Sequence, residues 1–363
     1  MNTYAKIDLG AIKNNILSLK KILSPGAKFM AVVKANAYGH GAVAVARTAE
    51  ENGVEYLAVA NISEAIELRN EGILVPILIL TESPTSALHE VIAYDLAQTI
   101  YSFSEAQALS EEASKRNKKA RVHIKVDTGM GRVGVSPSSA LSLVHKVSSL
   151  PNLVIEGIFT HFAKAEETGD NYTIEQFEKF KGVLAKVAEI PIKHAANSAA
   201  TVFFPQTHLD MVRVGLMIYG LYPSDSARNK VNLTPALSFL SRVTYVKRVD
   251  AGTPLGYGGI YKTKKETTIV TIPVGYADGF SRRLSNKGRV LIGGKRYPVV
   301  GRISMDLTLA DIGDAKVKVG DEVVLIGRQG LESISADEIA ELEDTISYEI
   351  VCSIGKRVPR IYK

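Results

Sequence analysis

The sequence predicts an α/β fold class, a (β/α)8 TIM-like barrel followed by a mainly β C-terminal domain. Three observations carry this expectation. Eight short apolar runs punctuate residues 1–232, the runs are continuous rather than alternating, and beyond about residue 233 strand-like stretches replace the strand–helix rhythm. Continuous apolar runs mark strands covered on both faces, as in parallel sheets. Eight of them, nearly all followed by a helical stretch, match the repeat of a barrel. Periodicity alone also admits a doubly wound sheet.

The eight runs span 28–34, 56–61, 76–81, 97–101, 120–127, 153–162, 192–195 and 211–213. The last two are weak on pattern. Helical spacing recurs between runs, at 63–72, 104–115 and 174–189. Beyond the barrel, strand-like stretches cover 237–249, 267–273, 289–292, 308–312 and 322–326, punctuated by Gly and Pro, with one helix at 336–342. The domains therefore read as 1–232 for the barrel and 233–363 for a β-rich C-terminal domain.

The chain has 363 residues, 46% of them hydrophobic, enough to bury a sizeable core. Its formal net charge is +6, with the basic residues scattered; the densest runs, 116–121 and 262–265, read as polar connections. That balance accommodates an anionic ligand and does not indicate nucleic acid. The single cysteine, Cys352, cannot form an intrachain disulfide and fits a reducing compartment. Residues 1–10 lack the basic and apolar regions expected of a secretory signal, and no apolar run approaches the roughly 18 residues of a membrane helix. A cytoplasmic protein without membrane partners is expected.

Polar residues gather at the ends of the barrel runs: Lys34, Lys125 with Asp127, His161, His194 and Arg213. In barrels of this kind the catalytic groups sit at strand C-termini, where the βα loops form one mouth. The set is mostly cationic. It lacks the carboxylate pair of glycoside hydrolysis, a Ser–His–Asp set and a cluster of metal ligands. The sharpest string is 31–41, Ala-Val-Val-Lys-Ala-Asn-Ala-Tyr-Gly-His-Gly. A lysine ends a buried strand there, and a glycine-bracketed turn opens the next helix. Desolvation disfavours the charged amine and lowers its pKa, as Schiff-base chemistry requires. Taken singly, Lys34 is an ordinary strand-end cation and Tyr38 an ordinary packing residue; the whole string points further.

This string resembles the pyridoxal-phosphate attachment site of alanine racemases. The resemblance covers nearly the whole chain: 3–9, 123–134, Thr160-His161-Phe162, 194–198, 213–220, Gly256-Tyr257-Gly258, 275–279, 302–306 and 357–360. It implies a barrel followed by a β domain, and a homodimer in which each active site is completed by the partner's β domain. It implies a racemase interconverting L- and D-alanine by two bases, with pyridoxal 5'-phosphate as cofactor, supplying D-alanine for peptidoglycan.

The resemblance also implies roles. Lys34 is the Schiff-base lysine and the base acting on the D-enantiomer. Tyr257, from the other subunit, is the opposite base, acting on the L-enantiomer, with His161 and Arg213 as the cationic network that lowers its pKa. Arg213 faces the pyridine nitrogen. Tyr38, Ser198 and the Gly215 and Leu216 amides hold the phosphate, with Tyr276 at some remove. Arg132 contacts the substrate carboxylate and the cofactor's phenolic oxygen. Lys125 matches a lysine carbamylated in some members. Met305 and Asp306, from the partner, complete the substrate pocket. Two departures stand out: Val214 where the family often has Pro, and Lys356 where some members place a phosphate-binding Tyr.

Rival readings are weaker. Gly129-Met-Gly-Arg-Val-Gly134 fits a dinucleotide fingerprint, with Glu156 at the acidic position. Such a fingerprint opens its helix directly and lies in the first βαβ unit. Here Ser136 and Pro137 intervene and four strand candidates precede it. A non-enzymatic cofactor-binding barrel would lack the β domain with Tyr257, Met305 and Asp306. A serine or broad-specificity amino-acid racemase of the same fold remains the alternative.

Overall fold

The computed structural model describes residues 2–363. Eight parallel strands close into a barrel: Lys28–Val32, Tyr56–Val59, Ile77–Ile79, Ala97–Ile100, Ala120–Lys125, Leu153–Phe159, Ile192–His194 and Met211–Val214. All eight expected runs are strands. Closure comes from the last strand pairing with the first, Phe29 opposite Val212 and Met30 opposite Arg213. Every residue of Tyr56–Val59, Ile77–Ile79, Ala97–Ile100 and Met211–Val214 is buried, which is why their sequence shows no alternation.

Several helices between the strands begin on side-chain caps. Asn61 accepts from the Glu64 amide, Ser102 from Glu105, and Ser136 from Ser139 with Pro137 at the first turn. Ser136 and Pro137 thus belong to a helix start that lies after the glycine-rich string. Residues 126–135 form a loop closed by a bridge between Val126 and Val135. The geometry is not that of a phosphate-binding strand–turn–helix.

The second unit is mainly β. A seven-stranded sheet runs in the order Lys295–Pro298, Arg289–Ile292, Glu322–Gln329, Leu237–Arg242, Tyr4–Ile7, Arg360–Tyr362, with Glu332–Ile334 attached to Glu322–Gln329. A three-stranded sheet joins Tyr245–Val249, Thr267–Ile272 and Thr308–Gly313. The helices are Ala336–Glu343 and Ser347–Ser353.

Three features differ from the sequence expectation. Tyr4–Ile7, assigned to the barrel range 1–232, pairs with Leu237–Arg242 and Arg360–Tyr362, and the residues through Gly10 and Tyr38–Gly41 fold with Pro235–Lys363. Pairing across more than 200 residues leaves no local signature. The 237–249 stretch divides between two sheets. The Val243 amide donates to Asp321 and the Thr244 amide to Thr271, so the backbone changes partners between adjacent residues. The helix Ser347–Ser353 was not expected; it buries only Ser347, Ile350 and Val351, too short a face for a periodic signal.

The barrel interior has one unusual compromise. His123 is fully buried, and a Cβ added at Gly157 would lie 2.2 Å from its Nδ1. The Gly157→Ala variant is therefore expected to lose about 1–3 kcal/mol of stability through overpacking. Gly182→Ala, in the helix Tyr172–Leu184 with open space around it, is expected to be neutral or stabilising by up to about 1 kcal/mol. Denaturant midpoints of the two variants measure the contrast; equal effects would contradict it.

Candidate active site

The lysine string passes through a left-handed turn before the right-handed helix Ala42–Glu51 opens. Ala35, Asn36, Ala37 and Tyr38 all have φ of 52–53°, one turn of left-handed helix, and Gly39 follows at φ 80°. Left-handed geometry costs a non-glycine residue roughly 1–2 kcal/mol. Two alanines, an asparagine and a tyrosine do not announce such a turn; hydrogen bonds to Glu64, Val33 and Asn36 hold it. The Ala35 amide donates to Glu64 Oε1 at 2.6 Å, Ala37 to the Val33 carbonyl at 2.8 Å, and Ala42 to Asn36 Oδ1 at 2.8 Å. Strain held this firmly concentrates at functional positions. Lys34 stands at the head of this turn, at the end of the first barrel strand.

Around the same end of the barrel lie Lys125, His161, His194 and Arg213. Arg213 is buried, and acceptors meet its NH1 and NH2 groups. NH1 donates to His194 Nδ1 at 3.0 Å. NH2 donates to the Thr160 carbonyl at 2.7 Å, the Ala195 carbonyl at 3.0 Å and His161 Nδ1 at 3.1 Å. A guanidinium has no acceptor, so both imidazoles must present a bare Nδ1 and be neutral. Burial lowers the Arg213 pKa to about 9, which still leaves it charged near neutrality. The Nε–H and the second NH1 hydrogen have no partner among the described residues, and they suit an acceptor such as an aromatic nitrogen.

The electrostatics follow. Burial, then Arg213 and Lys125, hold His161 well below its ordinary pKa, so it is a neutral member of the Arg213 cluster and not the cation that the resemblance implied; the cationic charge there is Arg213's own. Burial and Arg213 do the same to His194. Lys125 is buried, 5.4 Å from the Phe159 ring centre, and is lowered to about 8 by burial, then by Arg132, Arg213 and, less, Lys34. A substantial fraction of its amine is neutral near pH 8.

Arg132 lies on a loop organised by Asp127, whose Oδ1 accepts from the amides of Gly129, Met130 and Gly131 at 3.0, 2.8 and 3.1 Å. Tyr172 adds a hydrogen bond to the Gly129 carbonyl. Ser198 and Gly215 meet directly: the Gly215 amide donates to Ser198 Oγ at 3.0 Å, which leaves the hydroxyl proton available. Leu216 opens a 3-10 turn, where the first amides have no carbonyl of the turn to bond.

The remaining expected residues belong to the β unit. Tyr257 is 71% exposed on a short turn flanked by Gly256 (φ 68°) and Gly258 (φ 74°). Met305 is 52% exposed and Asp306 is exposed beside it. Tyr276 is also exposed, and its amide donates to the Ser304 carbonyl. Tyr38 folds with this unit, buried 6.0 Å from the Tyr348 ring. Burial, with Tyr348 and Cys352 nearby, raises its pKa. Lys356 is exposed.

Several contributors escaped the sequence reading. Arg357 bridges Asp278 at 2.7 Å and Asp306 at 2.5 Å, and so fixes Asp306. Arg360 donates to the carbonyls of Gly39, Ile354, Gly355 and Val358. The doublet of arginines around Val-Pro was visible as a motif, but its partners were not. Glu64 carried no signal beyond being acidic in a helix's first turn.

Comparison with known proteins supplies the relatives. A family model described as the N-terminal domain of alanine racemase matches residues 7–223, and one described as the C-terminal domain matches 236–362. An alanine racemase of Halothermothrix orenii is 49% identical over 366 residues, covering 99% of this chain and 97% of the relative. The crystal structure of alanine racemase from Bacillus anthracis with bound L-Ala-P superposes with a TM-score of 0.95 at 39% identity, covering 100% of this chain and 95% of that one. Alanine racemase from Bartonella henselae with covalently bound pyridoxal phosphate superposes with a TM-score of 0.87 at 32% identity, covering 100% of both chains.

The neutral buried histidines predict a pH dependence. His123 and His194 are fully buried and held below their ordinary pKa. Unfolded, each takes up a proton near pH 6.5. The unfolded state then binds more protons, so stability is complete above that pH and falls as pH drops. The slope is up to about 1.4 kcal/mol per pH unit for each. Melting temperatures between pH 7.5 and 5.5 should decline steeply; a flat profile would contradict neutral burial.

Proposed function

The chain belongs to the alanine racemase family, and we propose that it interconverts L- and D-alanine with pyridoxal 5'-phosphate, using Lys34 and Tyr257 as opposed bases. The observation that carries this reading is the Arg213 cluster beside the Lys34 turn. It is a cationic, acceptor-lined floor with donor capacity left over, at the end of a closed barrel. Such a floor fits a planar, anionic, nitrogen-containing ring. The cofactor, when bound, supplies an electron sink for the substrate's α-carbanion.

Each residue then has a task. Lys34 holds the cofactor covalently and exchanges the α-proton on one face. Tyr257 exchanges it on the other. Two bases are needed because a single base usually returns the proton to the face it came from. Arg213 donates to the ring nitrogen and, being itself unable to accept a proton, keeps that nitrogen largely unprotonated. Limiting the sink in this way favours return of the proton to the α-carbon. Tyr38, Ser198 and the Gly215 and Leu216 amides hold the phosphate; backbone amides beside a glycine approach phosphate closely.

Arg132 binds the substrate carboxylate. Lys125, with its lowered pKa, is suited to carbamylation, which would turn it into an anion able to hold Arg132. Tyr257, Met305 and Asp306 serve the active site of a second copy in a homodimer. Their exposure on one chain is what this assignment needs, since Tyr257, 71% exposed, and Met305, 52% exposed, are open to a second copy. The product D-alanine serves peptidoglycan synthesis in the cytoplasm. No helix among the described residues is long and apolar enough to cross a membrane.

Racemisation of alanine, with a screen over serine and other small amino acids, tests the activity; a preference for another amino acid would overturn the substrate assignment. Borohydride reduction and peptide mapping should place the pyridoxyl label on Lys34, and a label on another lysine would refute that role. In deuterated water, Tyr257→Phe should slow α-proton exchange from L-alanine about 10²–10⁴-fold, and from D-alanine much less. Equal loss from both enantiomers would reject the two-base assignment. Mixing Lys34→Ala and Tyr257→Phe subunits should restore activity if the site is shared between copies. Mixed dimers without activity would argue against sharing.

A further inference from the structure

Barrel interiors of this type are filled mainly by branched apolar side chains in layers. Here a column of polar groups replaces part of that filling. His194 Nε2 lies 2.9 Å from His123 Nδ1, and His123 Nε2 lies 3.3 Å from Glu156 Oε2. Both imidazoles are fully buried. The proton positions in this column are forced. Arg213 donates to His194 Nδ1, so His194 must carry its proton on Nε2 and donate to His123 Nδ1. His123 must then carry its proton on Nε2 and donate to Glu156. Every hydrogen bond runs one way, from the guanidinium to a carboxylate.

The scaffold makes specific concessions to this column. The pairing of strands Ala120–Lys125 and Leu153–Phe159 shifts register between Val122 and His123: Val122 faces Ile155, and His123 faces Gly157. Glu156 is the extra residue of that bulge. Bulges re-aim side chains in this manner. Gly157 gives up a side chain where the His123 ring sits. Phe159 stacks on His194 with centroids 4.7 Å apart and planes 13° from parallel. Tyr56 packs edge-on to His123, and Arg121 lies 3.9 Å from Glu156 at the outer end.

We propose that Glu156 is a positioning residue for Arg213, acting through His123 and His194. Its negative charge makes each imidazole a better acceptor for the next donor. The chain thereby fixes the orientation of the guanidinium and the strength of its remaining donors toward the ring nitrogen. An arginine cannot pass a proton onward, so the column is a static polarising relay and not a proton wire. The proposal rests on the reading that Arg213 meets that nitrogen.

Nitrogen-15 spectra of histidine-labelled holoenzyme test the column itself. His123 and His194 should both be neutral Nε2–H tautomers from pH 6 to 9. An Nδ1–H tautomer or a protonated ring at either position would overturn the proposal. Glu156→Gln, which keeps the shape and removes the charge, and His123→Phe, which cuts the chain, should each lower kcat about 3- to 30-fold. Both should also shift the visible absorption band of the bound cofactor in the same direction. The double variant should be no worse than the more affected single, because both act on one chain. Additive losses, or an unmoved band, would refute the relay. An Arg213→Lys control separates the two readings. If that variant shifts the band while Glu156→Gln does not, only the relay fails. If neither shifts it, the placement of Arg213 at the ring nitrogen fails too.

Discussion

Burying a guanidinium is the constraint on which the rest of the barrel depends. A charged group inside a low-dielectric core is costly unless every donor is met. Two backbone carbonyls and two imidazoles meet Arg213 through NH1 and NH2, leaving the Nε–H and one NH1 hydrogen open. No carboxylate touches it. That choice keeps the cluster cationic, which suits an anionic cofactor, and it forces both histidines to be neutral and singly oriented. The neutral state of His161 and His194 follows from burial in a cationic neighbourhood. The compensating charge stands two imidazoles away, on Glu156.

The surrounding backbone is built to hold this arrangement rigid. Asp127 gathers three consecutive amides into a tight loop that carries Arg132. Glu64 accepts from the amides of Ala35 and Ala60, tying the Lys34 turn to the end of the next strand. The left-handed turn concentrates strain beside the lysine, and the hydrogen bonds of Glu64 and Asn36 offset it. In the β unit, Arg357 fixes Asp306 and Arg360 caps four carbonyls. The side chains proposed for reactive roles thus sit on backbone that their own neighbours over-determine.

Much of the barrel was legible because buried strands print continuous apolar runs, although the last two runs, 192–195 and 211–213, were weak on pattern. The short strand Tyr4–Ile7 was not, because its identity comes from partners at 237–242 and 360–362. The 237–249 stretch looked like one strand because a change of sheet partner costs no hydrophobic residue. At the site, Lys34, His161, His194 and Arg213 were visible as polar strand ends. The hand of the Lys34 turn was not, since Ala and Tyr disfavour it and a single Asn favours it only at its own position. Glu156 was read only as an acidic residue trailing a glycine-rich string. Its bulge is a property of two strands in register, and one strand's sequence does not carry it.

The relation between Arg213 and the ring nitrogen is the point on which the functional reading turns. The most direct measurement is cofactor product analysis during turnover of the Arg213→Glu variant. A carboxylate there offers an acceptor in place of donors and allows the ring nitrogen to be protonated. Slower racemisation is expected, with more of the cofactor converted to pyridoxamine phosphate per turnover than in the unsubstituted enzyme. A variant that still binds the cofactor but shows no rise in that side product would contradict the placement of Arg213.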